Sequence, residues 1–548
     1  MKFRWPYAVA LLLAGYFTVL ALNGPSVGFV RDEGYYFKAA DQYAGWWETL
    51  FSRNFTKAFT DKEIQKHFSY NTEHPPLVKL SQGITHRLFH KALGWSSPSA
   101  GYRIAGYLFA CLSLLATFLL GRLLFSSAVG FFAACLLATI PRYFFDAHLA
   151  CFDVPITAMW TLSLWAFWRA YGRNCSPMSL PNILAGLIFG LAIATKLNAL
   201  FLPFVFVFTW LWTSSFFKEI KLQMGPSGGT DVRLGKIPWV LIVCAVVGPL
   251  IFFVTWPHLW HDPIGRTNFY LSFHLNHEHY PAQFFDNILV MPPFPISFPF
   301  VMTALTVPAP LLALGTLGFL FSAYRGLVRR EPRYCFLFAA CALPPFLIAG
   351  PNTPIFGGVK HWYNAMPLFA ILASSILVPS LRSVLAGWSV RVRFALMICI
   401  AVFTLLPGFL GILASPNTGI SYYNSIAGGY QGGARLGMQR GFWGGLVRPN
   451  LEGLRKIKPG SKVFFNRLNY DSYRMYIKEG VLPSRVYYAN EAKSATAAFH
   501  FEQPEHGEQE GAIWSVMGTK PVCGVYVDNV TLGQLYSKDS KVVCVDEP

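Results

Sequence analysis

Long apolar runs separated by short polar links dominate the chain. The first extends from about Pro6 to Gly28, close to the roughly 20 residues that cross the hydrocarbon of a bilayer. Ten more follow, at approximately 101–121, 128–145, 154–171, 182–196, 197–217, 237–256, 298–322, 334–350, 364–380 and 394–414. The pattern predicts an α-helical polytopic membrane protein with about eleven transmembrane helices. The first run is long and lacks a small-x-small cleavage site, so it reads as a span and not as a removable secretory signal. Lys2 and Arg4 before it predict a cytoplasmic N-terminus, and an odd number of spans then puts the C-terminus outside. The basic residues test this separately. Arg122, Arg169, Arg173, Lys218, Lys221, Arg233, Lys236, Arg325, Arg329, Arg330, Arg333, Arg382, Arg391 and Arg393 all fall in loops that parity assigns to the cytoplasm.

Three stretches then lie outside: a first loop at 29–100, a second at 256–297, and the tail 415–548, which leaves 1–414 as the membrane domain. Tyr35, Tyr36, Trp46, Trp47 and Phe51 make the first loop amphipathic and aromatic, as in helices that lie on a membrane or in an interfacial aromatic belt. Charge rises in the tail, and short β-like runs appear at 462–465, 485–488 and 522–527, so it reads as a small extracytoplasmic α/β domain. Cys523 and Cys544 fall in predicted strands there, and a disulfide is open to them in an oxidising compartment. The other eight cysteines sit in or beside spans, as small buried hydrophobes do.

Composition narrows the class. Hydrophobic residues make up 53% of 548 positions and charged ones 13%, which excludes a soluble globular enzyme. The net charge of +18 would in a soluble protein suggest nucleic acid, but much of it is topological. There is no clustered basic and aromatic motif of a nucleic-acid binder and no P-loop or GxGxxG, so neither a nucleic-acid partner nor a nucleotide is expected.

The candidate chemistry is external. Asp32 and Glu33 follow the first span where it should leave the bilayer. A carboxylate at mid-bilayer costs on the order of 3 kcal/mol, whereas one at the interface avoids most of that and still reaches a lipid headgroup. Glu73-His74-Pro75-Pro76 forms a stiff segment, since the prolines keep His74 out of helical geometry, and an extended element is expected there. Asp146, His148 and Asp153 cluster before the fourth span, where Asp153 has the place of a helix N-terminal cap. Lys196, in an external turn between apolar spans, either marks a phosphate site or snorkels to the interface. Five of the 13 histidines crowd into the second loop, at 258, 261, 274, 277 and 279. That density suits a metal, although no HExxH or CxxC spacing accompanies it.

Taken in order, Asp32-Glu33-Gly34-Tyr35-Tyr36, Glu73-His74-Pro75-Pro76-Leu77, Asp146 to Pro155, Thr195-Lys196, His274 to Tyr280 and Gly357-Gly358-Val359-Lys360-His361-Trp362 carry a resemblance. The chain resembles the polyprenol-phosphate-sugar-dependent glycosyltransferases of the membrane-embedded GT-C type, notably protein O-mannosyltransferases and the bacterial aminoarabinose transferases. Ser421-Tyr422-Tyr423-Asn424 with Gly428-Gly429 looks like a further motif of bacterial members.

The resemblance implies transfer of a sugar from a polyprenyl-phosphate donor to a lipid, glycan or protein acceptor, with inversion, at the outer face of the cell's inner (plasma) membrane. It makes Asp32 the catalytic base and Glu33 its support. Lys196, His74, Lys360 and His361 would bind the donor phosphate, and Asp153 and Tyr35 the substrate. A divalent metal ion is the one cofactor implied, held by Glu73 and His277, with His279 and His274 as alternatives to the latter. His74 stands where the aminoarabinose enzymes carry a lysine, which departs from their way of holding phosphate. The competing class is a membrane transporter or lipid flippase. Against it, the polar residues gather at one face and no inverted repeat is evident.

Overall fold

The computed structural model describes residues 4–173, 176–214, 222–224, 230–232, 237–442, 444–445, 448–503 and 507–542. Proline at or next to the first position opens many of its apolar helices, where the missing N–H costs nothing. Helix α1 (Trp5–Asn23) leads to three helices of the first loop: α2 (Arg31–Leu50), α3 (Asp61–Phe68) and α4 (Leu77–Thr85). Next come α5 (Pro98–Leu124), α6 (Ser127–Ala138), the short α7 (Pro141–Asp146), α8 (Asp153–Tyr171), α9 (Leu180–Ile193) and α10 (Leu202–Thr213). A hairpin of β1 (Leu222–Met224) and β2 (Thr230–Val232) precedes α11 (Trp239–Thr255) and α12 (Pro263–Leu275). After the hairpin of β3 (Ala282–Phe284) and β4 (Asn287–Leu289) come α13 (Phe298–Thr306), α14 (Ala309–Ala323), α15 (Pro332–Ile348), α16 (Met366–Val384) and α17 (Val390–Ala414).

Five helical stretches are long and apolar enough to cross a membrane: Trp5–Ser26, Pro98–Leu124, Ala309–Val328, Gly358–Leu381 and Val390–Ala414. Five shorter apolar helices accompany them, and with α8 these occupy all eleven predicted spans. Two spans are interrupted, each at a proline, which lacks the helical N–H donor. The 128–145 run divides at Pro141 into α6 and α7, and the 298–322 run divides at Pro308 into α13 and α14. The bundle packs α5 against α6 and α8, α9 against α8 and α11, and α14 against α16. Small residues allow the closest approach, as membrane helices require. At the α5–α6 contact a Cβ on Gly130 would lie 2.3 Å from the carbonyl oxygen of Phe118. Lys218, Lys221, Arg233 and Lys236, used above for topology, lie outside the described residues.

The tail first packs on the membrane helices and then forms a small sheet domain. Arg142 donates to the carbonyl of Tyr422 (2.9 Å), and the Asn424 amide donates to the carbonyls of Ala304 and Val307 (2.7 and 2.6 Å). This seats the Ser421–Asn424 motif between α7 and α13. After α18 (Gly429–Arg435) and α19 (Arg448–Leu451) the sheet comprises β5 (Lys462–Phe465), β6 (Tyr487–Ala489), β7 (Ala497–Phe501), β8 (Cys523–Val527) and β9 (Val530–Ser537), in the order β6-β5-β7-β9-β8. Strand β5 runs parallel to both β6 and β7, and the remaining pairs are antiparallel. Helix α20 (Tyr470–Lys478) links β5 to β6, and α21 (Gly507–Met517) links β7 to β8. Cys523 is disulfide-bonded, whereas Cys544 lies outside the described residues.

One buried ion pair locks the exit of α1 to the start of α2. The guanidinium of Arg103, in α5, donates from Nε and Nη2 to the two carboxylate oxygens of Glu33, both at 2.8 Å. Its other N–H groups reach the carbonyls of Gly24, Val27 and Gly28, each at 2.9 Å. Glu33 also accepts from the N–H groups of Val30 (3.1 Å) and Ala150 (2.9 Å). Glu33→Gln leaves a buried guanidinium without its counter-charge, an effect of about 3–5 kcal/mol. The expected outcome is a marked fall in Tm of the purified protein in detergent, and a Glu33→Gln, Arg103→Met double variant should lose less than the sum of the single changes.

Candidate active site

A cavity of ≈ 360 Å³ opens where the first loop, the bundle and the tail meet. Asp32, Tyr35, Glu73, His74, Asp153, Lys196, His274, His277, Lys360 and His361 line it. Ten residues spread over 330 positions of sequence are thus brought to one place. Glu33 is not among them. Its carboxylate is buried in the Arg103 pair, away from the cavity, which corrects its expected place beside Asp32 in the site. His279 also lies off the cavity, its ring edge-on against Phe294 at 5.2 Å, and is not an alternative ligand there.

Asp32 is presented by the first turn of α2. That turn can lie against the sheet domain only because residue 34 is glycine: a Cβ there would meet the side-chain oxygen of Asn469 at 2.1 Å. The Asn469 amide donates to the carbonyl of Arg31, and the N–H of Phe29 donates to the hydroxyl of Tyr476 (2.7 Å). From the other side, the ammonium of Lys360 lies 3.5 Å from Asp32 Oδ2. Lys360 stands in a 3₁₀ turn at Gly358–Ala365, where Tyr363 bonds the buried carboxyl of Asp146 and so ties this turn to the segment before α8. His361 Nε2 accepts from the N–H of Gly357 (3.1 Å).

Asp153 does not cap α8. Its Oδ1 accepts from the ammonium of Lys196 at 2.7 Å, and the pair forms one wall of the cavity. Lys196 is therefore neither snorkelling nor unpartnered. Glu73 and His74 lie in a turn and not, as expected, on an extended element. The turn is fixed from below by the buried ammonium of Lys79, which donates to the carbonyls of Asn71 (2.5 Å) and His74 (2.7 Å) and to the Tyr43 hydroxyl (2.9 Å). The N–H of Leu77 then docks on the carbonyl of Ala194 at 3.0 Å, which sets Glu73 and His74 beside Lys196.

Burial and the nearby His274, Lys196 and Lys79 push His74 well below the usual imidazole range. Its ring is stacked on Phe152 at 4.7 Å, with Nε2 3.3 Å from the Tyr36 hydroxyl. A neutral imidazole offers a phosphate a hydrogen bond and no charge. Burial likewise brings His274 down to about 4.

The expected metal ligands do not converge. His274 Nε2 is engaged with the carbonyl of Glu73 (2.8 Å), and His277 Nδ1 with the carbonyl of Glu278 (2.7 Å). Among the described residues, a group of three ligand atoms close enough to share an ion occurs only at His500, Glu502 and Glu510, which do not line the cavity. There Glu502 already faces Arg440 at 3.4 Å. Among the described residues, the cavity therefore gathers no three ligand atoms around one position.

Several lining residues were not singled out from sequence. Arg31 follows the first span directly, a cation beside two acids. Gln439, Arg467 and Gln503 come from the tail, and no sequence signal points to them. Arg103, by contrast, carries one, because a cation inside an apolar span needs a partner.

Solved structures share this architecture. The chain is similar to ArnT from Cupriavidus metallidurans in the apo state, with a TM-score of 0.50 at 13% identity, covering 97% of this chain and 98% of that one. ArnT from the same organism bound to undecaprenyl phosphate gives 0.49 at 14% identity with the same coverage. The Archaeoglobus fulgidus oligosaccharyltransferase in the apo form gives 0.48 at 13% identity, covering 87% of this chain and 64% of that one. No curated protein sequence matches the chain. The likeness to the apo ArnT structure shows the fold of this chain. Within it, residues 73–227 match the family profile described as dolichyl-phosphate-mannose-protein mannosyltransferase.

A pH dependence follows from the histidines. In the unfolded chain His274 takes up a proton below pH about 6.5, whereas in the folded protein it does so only near 4. Stability is then intact above about pH 6.5 and falls as the pH drops from there toward 4, and His74 adds to the effect with the same sign. Tm measured across this range should decline on acidification, and His274→Gln should flatten part of the decline.

Proposed function

We propose that this protein transfers a sugar from a polyprenyl-phosphate donor to an acceptor hydroxyl at the extracytoplasmic face of the inner (plasma) membrane, with inversion at the anomeric carbon. The observation that carries it is the pairing, in one cavity, of Asp32 with Lys360 and of Asp153 with Lys196. One carboxylate is thereby set beside a bank of cations. The match of residues 73–227 to a family that uses dolichyl phosphate mannose supports it, as does ArnT, solved with undecaprenyl phosphate.

In this reading the donor phosphate lies against Lys196 and Lys360, with His74 and His361 as neutral neighbours, and the sugar lies between the phosphate and Asp32. The Asp32 carboxylate takes the proton of the acceptor hydroxyl as its oxygen attacks the anomeric carbon. The bond from that carbon to the phosphate oxygen breaks, and polyprenyl phosphate leaves with the electron pair, its charge met by the two ammonium groups. Asp153 holds Lys196 in place until the phosphate arrives, and Tyr35 lines the acceptor side. The N-terminus is cytoplasmic and the sheet domain extracytoplasmic, as the basic loops require.

Asp32→Asn keeps the size of the side chain and removes the base. Release of polyprenyl phosphate from the lipid-linked sugar should fall by about 10²–10⁴-fold, with polyprenyl-phosphate binding retained. Intact turnover in this variant would remove Asp32 from the reaction. The cations in the scheme all belong to the chain itself, so dialysis against a chelator should leave turnover unchanged. Loss of activity restored by a divalent ion would return Glu73 and His277 to the reaction. Flux of lipid or solute across proteoliposomes without a glycosidic product would instead favour a transporter.

A further inference from the structure

A second cleft, ≈ 750 Å³, lies on the sheet domain and joins the catalytic cavity. Its size falls within the roughly 300–1,000 Å³ of small-ligand sites. Its floor is formed by the segments that follow β5, from Asn466 to Asn469, and β6, from Asn490 to Lys493. Both are carboxyl ends of parallel strands. Strand β5 has β6 on one side and β7 on the other, both parallel; the connections leaving β5 and β7 diverge between these two strands, and α21, which follows β7, brings Gln509 and Ala512 to the cleft. Open α/β sheets hold ligands outside the carboxyl ends of strands at such a switch point.

The cleft has built polar features. Asn466 is 8% exposed, and its Oδ1 accepts the N–H of Phe501 at 3.0 Å. Its Nδ2, also buried, has no hydrogen-bond partner among the described residues. Gln509 contributes a buried Oε1 that is likewise unpartnered. Tyr488 and Tyr35 supply ring surface, and the guanidinium of Arg31 lies over the Tyr280 ring at 5.6 Å. Buried polar atoms left unpaired are costly, and here a donor and an acceptor line the same hollow. Arg31, Arg467 and Lys493 line it against the single carboxylate of Glu491.

Arg31, Tyr35, Tyr280 and Arg467 line both the cleft and the catalytic cavity. They form the rim between them, and Asp32 is the next residue after Arg31.

We propose that this cleft is the acceptor subsite and that the acceptor is a saccharide carrying an acidic group. The proposal rests on the transfer reaction above. Amide groups, ring faces and cations recognise hydroxyls, sugar faces and a carboxylate or phosphate. A peptide is disfavoured, because the cleft lies across strand ends and only Tyr488 of the edge strand β6 borders it, too short a stretch for a peptide backbone to pair along. Bound here, the acceptor presents one hydroxyl across the rim to Asp32.

The test uses the full chain in lipid nanodiscs and three probes: a glucuronate-containing disaccharide, diacetylchitobiose as its neutral counterpart, and a serine-containing hexapeptide. The glucuronate disaccharide should bind about tenfold or more tighter than the neutral one. Lys493→Glu should weaken it by about tenfold, and Asn490→Trp, at an exposed position on the cleft floor, should abolish it. Binding of polyprenyl phosphate should be unchanged in both variants, which reports that they are folded. The proposal is overturned if neither saccharide binds, if the variants bind as the parent does, or if the peptide binds in place of the saccharides. Failure of the parent chain to bind polyprenyl phosphate would overturn the transfer reaction instead and leave the saccharide titration to decide on the cleft separately.

Discussion

A guanidinium with all five N–H donors engaged determines where the chemistry can take place. Arg103 would be prohibitively expensive inside a helical bundle on its own, and Glu33 would be too. Together they cancel in charge, and their remaining hydrogen-bonding capacity goes to backbone: three carbonyls between Gly24 and Gly28 on one side, and the N–H groups of Val30 and Ala150 on the other. The pair therefore fixes four pieces of chain at once: the exit of α1, the first turn of α2, the second turn of α5 and the segment leading to α8. Two of these carry two of the cavity's three carboxylates, Asp32 on α2 and Asp153 at the start of α8. Because this cluster is fully satisfied it has one geometry, and the distance between those acids is inherited from it.

The electrostatics of the cavity follow from that frame. Each of its lysines has a carboxylate at hand, Lys196 with Asp153 at 2.7 Å and Lys360 with Asp32 at 3.5 Å. The looser pair involves the proposed base. A phosphate entering the cavity competes with carboxylates for cations already in place, so little reorganisation accompanies its binding. In the proposed reaction the tight Asp153–Lys196 contact aims a cation, while the longer Asp32–Lys360 contact leaves a carboxylate oxygen free to take a proton. His74, kept neutral by burial among lysines, adds no repulsion to this set.

Much of the bundle was legible in the sequence because hydrophobic length and loop charge are local quantities. Helices occupy all eleven apolar runs, and the two runs that break do so at Pro141 and Pro308, whose effect is also local. Most of the candidate residues reached the cavity for a related reason: polar groups at the ends of apolar helices have few places to go. What was not legible depended on distant contacts. Adjacent helical residues point about 100° apart, so one of Asp32 and Glu33 had to face away from the cavity. Arg103, 70 positions later, decides which. The histidine-rich loop misled because proximity in sequence was taken for proximity in space. Helix α12 and the turns around it distribute those rings to Phe59, Phe294, Phe356 and the Glu73 carbonyl. The tail's contribution of Gln439, Arg467 and Gln503 had no local signature at all.

That contribution changes how the sheet domain relates to the reaction. Asn469 and Tyr476 bond the backbone of residues 29–31, immediately before Asp32, and Gly34 admits the close contact. Helix α2 is thus held between the buried Arg103 pair and the sheet domain, and the proposed base projects from its first turn. A domain that only recognised an acceptor could sit anywhere along the outer surface. This one touches the turn that bears Asp32, so any shift of the sheet domain on engaging a ligand is passed to the carboxylate through at most a few residues of rigid helix. The same contacts that brace the site also make its geometry depend on what the outer domain binds.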